Sequence, residues 1–143
     1  MAQKLEALDL WRTVLVTSVR RAGPDLSSRQ LALLLTVYLT PSPHTVRGLA
    51  ATLNVSKPAI SRALDRLGRL GFLRRKRDEA DRRNVLVQRT VKGSVFLTEF
   101  AQLVMDARNG LRPSDLPVAP VPMVEGVPGD ERASGPAGHA VPA

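Results

Sequence analysis

A stretch of polar side chains between residues 57 and 69 has the types and the spacing that reading DNA bases requires. The stretch predicts a helix whose inner positions are apolar and whose outer positions are Lys57, Ser61, Arg62, Arg66 and Arg69. Such a helix fits the DNA major groove, where Arg or Lys can hydrogen-bond the O6 and N7 atoms of guanine and Ser can serve either base. The alternative is an ordinary amphipathic helix with a solvated basic face.

A second cluster of charged side chains lies in the segment 78–84, between two predicted strands. Arg82 and Arg83 stand side by side there, at the tip of a predicted hairpin. Arginines on such an arm can enter a narrow minor groove, where the negative potential is enhanced. We expect Asp81 to hold one of the two arginines by a bidentate contact and so to fix its direction. The alternative is a polar turn with an incidental charge cluster.

The charge of the chain points towards a polyanionic partner. The formal net charge is +8, and residues 56–92 alone contain 12 Lys or Arg against four acids. Residues 1–112 contain 20 Lys or Arg against nine acids, a formal net charge of +11, because the segment 113–143 is acidic. A well-solvated basic surface is the alternative, so charge by itself favours nucleic acid only slightly.

Several classes of protein are disfavoured by what the sequence lacks. The chain has no cysteine, which excludes disulfide scaffolds, cysteine-ligated zinc, iron–sulfur clusters and thiol redox sensing. Its two histidines, His44 and His139, have no partner at metal or triad spacing, and there is no glycine-rich phosphate loop. We therefore expect no enzyme activity, no metal and no cofactor.

The sequence also carries no sign of an export or membrane segment. The first residues lack the basic-then-apolar order of a signal peptide, and the longest aliphatic run, residues 31–35, is far shorter than the roughly 18 residues that a membrane span needs. We expect a cytoplasmic, nucleoid-associated protein with no membrane contact.

Hydrophobic periodicity and capping signals divide the chain into five helices and a hairpin. The predicted elements are helices at about 4–21, 27–39, 45–53, 56–70 and 90–108, and strands at 72–77 and 85–89. Ser27 and Gln30 form a predicted capping box, and Ser56 is predicted to cap the fourth helix with Pro58 in its first turn. The third and fourth helices, joined through Asn54 by a turn of about three residues, have the geometry of a helix-turn-helix.

Residues 45–93 resemble the winged helix-turn-helix of the MarR family of bacterial regulators. Segment 49–67 is similar to the family's helix-turn-recognition helix. The run Asp81-Arg82-Arg83, followed by a strand, Thr90 and Gly93, is similar to the family's wing. The wing motif, at this distance after the first, is the more specific of the two. With the neighbouring helices, the resemblance covers about residues 4–108.

The resemblance implies a homodimer bound to double-stranded DNA at a roughly palindromic operator, with half-sites about 10 base pairs apart. The helix that begins at Ser56 would lie in the major groove, and the wing would lie in the minor groove. Carried over by position, Lys57, Pro58, Ser61 and Arg62 would read or approach bases, and Arg82 or Arg83 would enter the minor groove. The full predicted set of DNA-binding residues adds Ser56 and Arg66 on the same helix.

Two departures from the family pattern bear on this prediction. Arg89 stands where the family usually has leucine, so we expect the end of the second strand to be exposed or to contact phosphate. Relatives dimerise through their terminal helices, including one after the fifth, whereas here that region is rich in proline and glycine. We therefore expect a dimer that is smaller than in the relatives, that rests mainly on the flanking helices at 1–22 and 90–110, or that forms only on DNA.

A small-molecule effector is a further possibility that the resemblance raises, because many relatives bind aromatic molecules near the dimerisation helices. The aromatic candidates in this chain are Trp11, Tyr38, Phe96 and Phe100. We expect all four to be core residues rather than ligand contacts.

The sequence thus predicts a mainly α protein with a small β-hairpin wing, an α+β winged helix-turn-helix. Residues 1–112 form a DNA-binding domain with flanking dimerisation helices, and residues 113–143 form a Pro/Gly/Ala-rich disordered tail. The predicted function is that of a sequence-specific transcriptional regulator, a repressor that acts as a dimer. A winged-helix protein-interaction adaptor and a non-specific nucleoid-type DNA binder are the alternatives.

Overall fold

Five helices and a three-stranded antiparallel sheet make up the part of the chain that the computed structural model describes, residues 1–112. In chain order the elements are α1 (Ala2–Arg20), α2 (Ser28–Leu39), β1 (His44–Thr45), α3 (Val46–Leu53), α4 (Lys57–Arg69), β2 (Leu73–Arg77), β3 (Val85–Arg89) and α5 (Val91–Arg108). The five predicted helices, the two predicted strands and the predicted fold class are confirmed. The predicted tail at 113–143 lies outside the described residues.

Local capping signals set the ends of the helices. The capping box predicted for α2 is confirmed, because Gln30 N–H donates to Ser27 Oγ at 3.1 Å and Ser27 N–H donates to Gln30 Oε1 at 3.0 Å. These bonds satisfy backbone donors that the first turn of a helix otherwise leaves free. Between α3 and α4, Asn54 takes a left-handed φ of 53°, which closes α3 and makes the predicted tight turn.

The core lies where α2, α3 and α4 meet the inner face of the sheet. Each helix buries one apolar stripe, and burial of a large aliphatic side chain contributes roughly 1.5–3 kcal/mol relative to exposure. The buried large apolar residues of this cluster are Leu33, Leu34, Val37, Leu49, Ile60, Leu64, Leu67, Phe72, Leu73 and Val87. The inward face predicted for α4 is confirmed, which leaves its opposite face free for a partner.

The sheet contains one strand that the sequence analysis missed. Strand β3 lies in the centre, with β2 on one side and the two-residue β1 on the other, where His44 pairs with Val87. Two residues are too few for an alternating pattern to be seen in a sequence. These two residues form a strand only because they pair with Val87 and Leu86 of β3, which lie 43 and 41 positions further on. The pairing joins the base of the wing to the start of α3.

Helix α1 packs against α5 through a narrow stripe of small residues. Thr13, Val14 and Thr17 are buried, whereas Trp11 keeps 52% of its surface exposed. The expectation that Trp11 is a core residue is therefore wrong. The physical reason is that α1 turns its Thr/Val stripe towards α5, so no described element covers the stripe that carries Trp11.

Candidate nucleic-acid interface

The N-terminal end and outer face of α4 carry most of the residues predicted to bind DNA. Ser56 caps the helix by accepting a hydrogen bond from Ala59 N–H at 3.2 Å, so its hydroxyl oxygen is committed to the helix start. Lys57, Pro58 and Arg62 are exposed. The half-buried members of the predicted set on this helix are Ser61 and Arg66. The helix thus presents its first turns and its basic side chains to solvent while its apolar stripe fixes it to the core.

The wing loop is shaped by its aspartates through the backbone. Asp78 Oδ1 accepts from Ala80 N–H at 3.0 Å, and Asp81 Oδ1 accepts from Arg83 N–H at 3.1 Å. The expectation that Asp81 holds an arginine guanidinium is wrong, since its carboxylate accepts the backbone N–H of Arg83 and forms an Asx-turn. Within residues 1–112 neither Arg82 nor Arg83 forms an ion pair, and both are exposed.

A groove brings part of the predicted set together. Lys57 and Ser61 of α4 face Arg83 of the wing across a depression of about 260 Å³, whose other walls come from α3, β2, the end of the wing loop and the start of β3. Arg62, Arg66 and Arg82 do not line it. Helix α4 and the base of the wing, the hairpin of β2 and β3, therefore form one continuous basic surface, with Arg82 further out along the loop.

Two further arginines line this groove and were missed by sequence reasoning: Arg47 in the first turn of α3 and Arg75 on β2. Arg75 reaches from the strand to α4, where Nη1 donates to Asp65 Oδ1 at 2.8 Å and Nη2 donates to Ser61 O at 2.6 Å. Asp65 is the only acidic residue of α4, so this contact neutralises the one negative charge on the helix. No local spacing indicates this contact, because Arg75 lies 10 positions after Asp65 and 14 positions after Ser61.

Arg89, which departs from the family pattern, is exposed as expected, but its contacts are with helix α2. Its Nε donates to Val37 O and its Nη2 donates to Thr40 O, each at 2.9 Å, and the guanidinium carbon lies 5.9 Å from the centre of the Tyr38 ring. These bonds satisfy carbonyls at the end of α2, where a positive charge is also favoured by the helix dipole. The arginine thus joins the end of β3 to α2.

The layer formed by α1 and α5 carries an ion-pair cluster and an exposed apolar face. Asp9 of α1 accepts hydrogen bonds from Arg112 and from Arg12, and these two guanidinium groups hold the pKa of Asp9 below its ordinary value of 3.8. Arg112 follows α5, so the contact ties the end of that region to α1. On the same helix, the residues exposed by 44% or more include Leu5, Leu8, Trp11, Leu15 and Val19.

A small cavity lies between the end of α1 and the middle of α5. It measures about 120 Å³, and its walls include Arg21, Phe96, Glu99 and Phe100. Phe96 also stacks on Phe72 with 4.5 Å between ring centres. Of the four aromatic candidates for effector binding, Phe96 and Phe100 therefore line a cavity, whereas Trp11 and Tyr38 do not line this one.

Residues 1–112 contain neither a membrane-spanning helix nor a metal-binding cluster. No helix in this part of the chain is long and apolar enough to cross a membrane. No three or more His, Cys, Asp or Glu side chains there come together in a way that could hold a metal ion.

Comparison with known proteins gives a consistent result for this arrangement. A family model described as MarR family matches residues 26–85. Among solved structures, a mutant of MarR from E. coli is 25% identical with a TM-score of 0.59, over 76% of this chain and 77% of that one. The transcriptional regulator BldR from Sulfolobus solfataricus is 26% identical with a TM-score of 0.55, over 76% of each chain. YusO from Bacillus subtilis shares the fold at 19% identity and a TM-score of 0.62, over 76% and 75%.

No curated protein sequence matches the chain. The family match runs from the residue before the α2 capping box to the first residue of β3. It therefore contains the helix-turn-helix, the Arg75–Asp65 contact and the wing loop with its paired arginines. Residues 26–85 thus match the MarR family model, and residues 1–112 have the winged helix-turn-helix fold of solved transcriptional regulators that include MarR and BldR.

Proposed function

We propose that this protein is a sequence-specific, double-stranded DNA-binding transcriptional regulator, a repressor that acts as a homodimer on a palindromic operator. The observation that carries the proposal is the continuous basic surface formed by α4 and the wing base, where Lys57, Ser61 and Arg83 line one groove. The width of a helix matches the major groove, and an arginine-bearing hairpin beside it can follow the backbone into the minor groove.

The charge on this surface favours a duplex as the partner. The single acid of α4, Asp65, is paired with Arg75, so the face that would meet phosphate carries no uncompensated negative charge from that helix. Each phosphate neutralised by Lys or Arg releases counterions, which makes binding strongly dependent on salt. In this proposal Ser61, Arg62 and Lys57 approach base edges, Arg66 contacts phosphate, and Arg82 and Arg83 enter the minor groove.

The dimer is proposed from the apolar face of α1. Trp11 is 52% exposed and Leu8 is 66% exposed, and apolar exposure continues on α5, where Val95 is 53% exposed and Met105 is 55% exposed. Contiguous apolar patches of this kind are uncommon on monomeric proteins and mark sites of association. A second copy of the chain would cover them and would place two recognition helices on one side of the dimer, one for each half-site.

The experiment that tests DNA recognition is fluorescence anisotropy with a duplex taken from upstream of the protein's own gene, titrated across salt concentrations. A scrambled duplex of the same composition is the control. We expect salt-dependent binding that favours the native duplex by roughly 10³-fold or more. Equal affinity for both duplexes would favour a non-specific nucleoid-type binder, and no binding at low salt would favour the protein-interaction adaptor.

Point variants test the assignment of residues. We expect Ser61→Ala and Arg62→Ala to weaken binding and to relax sequence preference, at a cost of roughly 1–3 kcal/mol for a lost bidentate contact. We expect Arg82→Ala and Arg83→Ala to weaken binding to all duplexes alike. Arg108→Ala, an exposed arginine in the last turn of α5, is the matched control for loss of one charge. Equal losses on both duplexes for all four variants would contradict base reading by α4.

Trp11 gives a direct readout of dimerisation, because it is the only tryptophan in the chain. We expect its emission to shift to longer wavelength on dilution as the dimer dissociates and the ring becomes hydrated. Leu8→Arg should abolish this shift and give a monomer in sedimentation equilibrium. Leu39→Arg, at an apolar position of α2 that is 76% exposed, is the matched control. A monomeric wild type at micromolar concentration would refute the dimer.

Two subsidiary predictions belong to the proposal. A regulator of this kind works on the chromosome, in the cytoplasm, and requires neither a cofactor nor catalytic residues. Effector binding remains a prediction from the resemblance, and its candidate place is the cavity lined by Phe96 and Phe100. At about 120 Å³ the cavity approaches the roughly 150 Å³ that holds a single benzene ring.

A further inference from the structure

The hydroxyl of Tyr38 lies at a junction between α2, the start of β2 and the start of α5. Its oxygen is 2.9 Å from Phe72 O and 2.8 Å from Thr90 O, and it accepts a hydrogen bond from Thr90 N–H at 2.9 Å. Thr90 is the N-cap of α5, and its own hydroxyl donates to Gly71 O at 2.6 Å. A single half-buried hydroxyl thus touches the backbone on both sides of the connection between α5 and the lobe formed by α2–α4 and the sheet.

The first turn of α5 is built to accept this hydroxyl. Gly93 is buried in that turn, and a Cβ atom there would lie 2.1 Å from the Tyr38 hydroxyl oxygen and 2.3 Å from Phe72 O. Only the absence of a side chain lets the helix approach so closely. Gly93 N–H in turn donates to the Thr90 hydroxyl at 3.0 Å. The Tyr38 hydroxyl therefore helps to set the angle at which α5 leaves the wing, together with the Thr90–Gly71 bond and the stacking of Phe96 on Phe72.

The other end of this junction is rigidly connected to the recognition helix. Arg89 joins the end of β3 to the carbonyls at the end of α2, beside the Tyr38 ring. Arg75 joins β2 to α4 through Ser61 O and Asp65. Because the lobe is braced in this way, the contact between Tyr38 and the first turn of α5 is the point where a change of angle between lobe and helix can occur.

The length of α5 makes such a change large. The helix has 18 residues and a length of about 27 Å at 1.5 Å per residue. A tilt of about 10° at its first turn would displace its far end by about 5 Å, which exceeds the 3.4 Å rise of one base pair. In a dimer held together through α1 and α5, this displacement appears as a change in the separation of the two recognition helices.

We propose that Tyr38 is a positioning residue that sets the half-site spacing of the operator, by fixing the direction of α5 through Thr90 and Gly93. The inference rests on the proposed function, since spacing has meaning only for a dimer on two half-sites. Tyr38 touches no DNA in this proposal. Its hydroxyl sets which spacing is accepted, and the affinity of one lobe for one half-site is independent of it.

The test uses the full chain and an operator selected from random duplexes by the wild-type protein. Kd is measured by anisotropy for that operator with one or two base pairs inserted or removed between the half-sites, and for a duplex with a single half-site. We expect the wild type to bind each altered spacing roughly 10-fold or more weakly than the selected one. In Tyr38→Phe the loss of affinity caused by an altered spacing should fall to about 3-fold or less, and the Kd for a single half-site should change by less than about 2-fold.

Two more variants and a distance measurement complete the design. Thr90→Val removes the hydroxyl bonds at the other side of the junction and should likewise reduce the dependence of Kd on half-site spacing, which we call the spacing profile. Thr98→Val is the matched control, because it removes an α5 hydroxyl whose bond, to Ser94 O, stays within the helix. The chain has no cysteine, so a spin label on Ala51→Cys, an exposed site on α3, reports the distance between protomers without DNA. Tyr38→Phe should broaden or shift that distance distribution.

The outcomes separate this inference from the proposed function. A wild type with a sharp spacing preference, combined with an unchanged profile and an unchanged label distance in Tyr38→Phe, would overturn the role of Tyr38 alone. A wild type that binds all spacings equally, or whose spin labels give no measurable distance between two protomers, would overturn the proposed dimer and this inference together.

Discussion

The contact between Arg75 and Asp65 supports a quantitative prediction about how the wing and the recognition helix depend on each other. Replacing Arg75 by methionine keeps the aliphatic stem and removes both guanidinium bonds. The bond to Ser61 O, 2.6 Å long, is worth about 0.5–1.5 kcal/mol net. The ion pair has side chains that are 40% and 54% exposed, so it adds only about 0.2–1 kcal/mol.

The expected loss of folding free energy in Arg75→Met is therefore about 1–2 kcal/mol. For a folded body of this size that corresponds to a fall of roughly 5–10 °C in the melting temperature, measured by circular dichroism. The effect on DNA is separate, because the variant also leaves the Asp65 carboxylate unpaired on the surface proposed to meet phosphate. An unscreened charge pair about 4 Å apart in water interacts by about 1 kcal/mol, or roughly 5-fold in Kd.

A double-mutant cycle isolates this effect. In the wild-type background, Asp65→Asn removes a charge that Arg75 already neutralises, so DNA affinity should change little. In the Arg75→Met background the same substitution should restore about 1 kcal/mol of binding, which is the coupling between the two residues. Glu99→Gln removes an exposed acid of α5 and is the control for net charge. If Asp65→Asn has the same effect on Kd in both backgrounds, the pair does not act as a unit and the reasoning is refuted.

The remaining predictions concern stability, measured by thermal unfolding of the full chain. Gly93→Ala should lower the free energy of unfolding by about 3 kcal/mol, because the new methyl group would overlap the Tyr38 hydroxyl and the Phe72 carbonyl. Gly68→Ala should raise the free energy of unfolding by about 0.5–1 kcal/mol, because the nearest atom is 4.0 Å from the new Cβ and alanine favours the helix. Similar effects of the two would contradict the packing at the start of α5. Thr13→Val should stabilise by about 1 kcal/mol, since the buried Thr13 hydroxyl has no hydrogen-bond partner among the described residues; a loss of stability would show that the hydroxyl is satisfied. Hydrogen bonds from Arg112, the larger effect, and from Arg12 lower the pKa of Asp9 in the folded protein. The Asp9 carboxylate therefore stabilises the fold at pH values above its unfolded pKa, and this contribution is lost as the pH falls through its folded pKa. Asp9→Asn should melt below the wild type at neutral pH, and the difference should shrink as the pH falls below the ordinary pKa of 3.8 and the carboxylate is protonated. A difference in melting temperature that stays constant as the pH falls would rule the linkage out.

Much of the proposed DNA-facing surface could be predicted from the sequence because its determinants are local. The side chains of α4 alternate between core and solvent at helical spacing, so the exposure of Lys57 and Arg62 follows from the same pattern that buries Ile60. Exposure of Arg82 and Arg83 follows from their place in a short polar loop between strands. Whether these side chains bind DNA stays a prediction, which the variants above test.

The sequence by itself determined the order and ends of the helices, since capping and periodicity act between residues three or four positions apart. Ser27 with Gln30, and Asn54 at its left-handed φ, behave in the fold as their local sequence requires. The strands 72–77 and 85–89 could be predicted because Gly71 and the polar segment 78–84 mark where they begin and end, although their apolar residues do not alternate regularly.

Only the tertiary structure decided which side chains meet across the fold. Arg75 reaches Ser61 and Asp65 over 14 and 10 positions of sequence, and Tyr38 reaches Thr90 over 52. Such contacts depend on strand register and on the angle between packed helices, and neither is encoded in a local spacing. The same holds for Trp11, whose exposure was decided by which stripe of α1 faces α5. Periodicity shows that a helix has an apolar face, but the packing of the whole chain selects the surface that covers it.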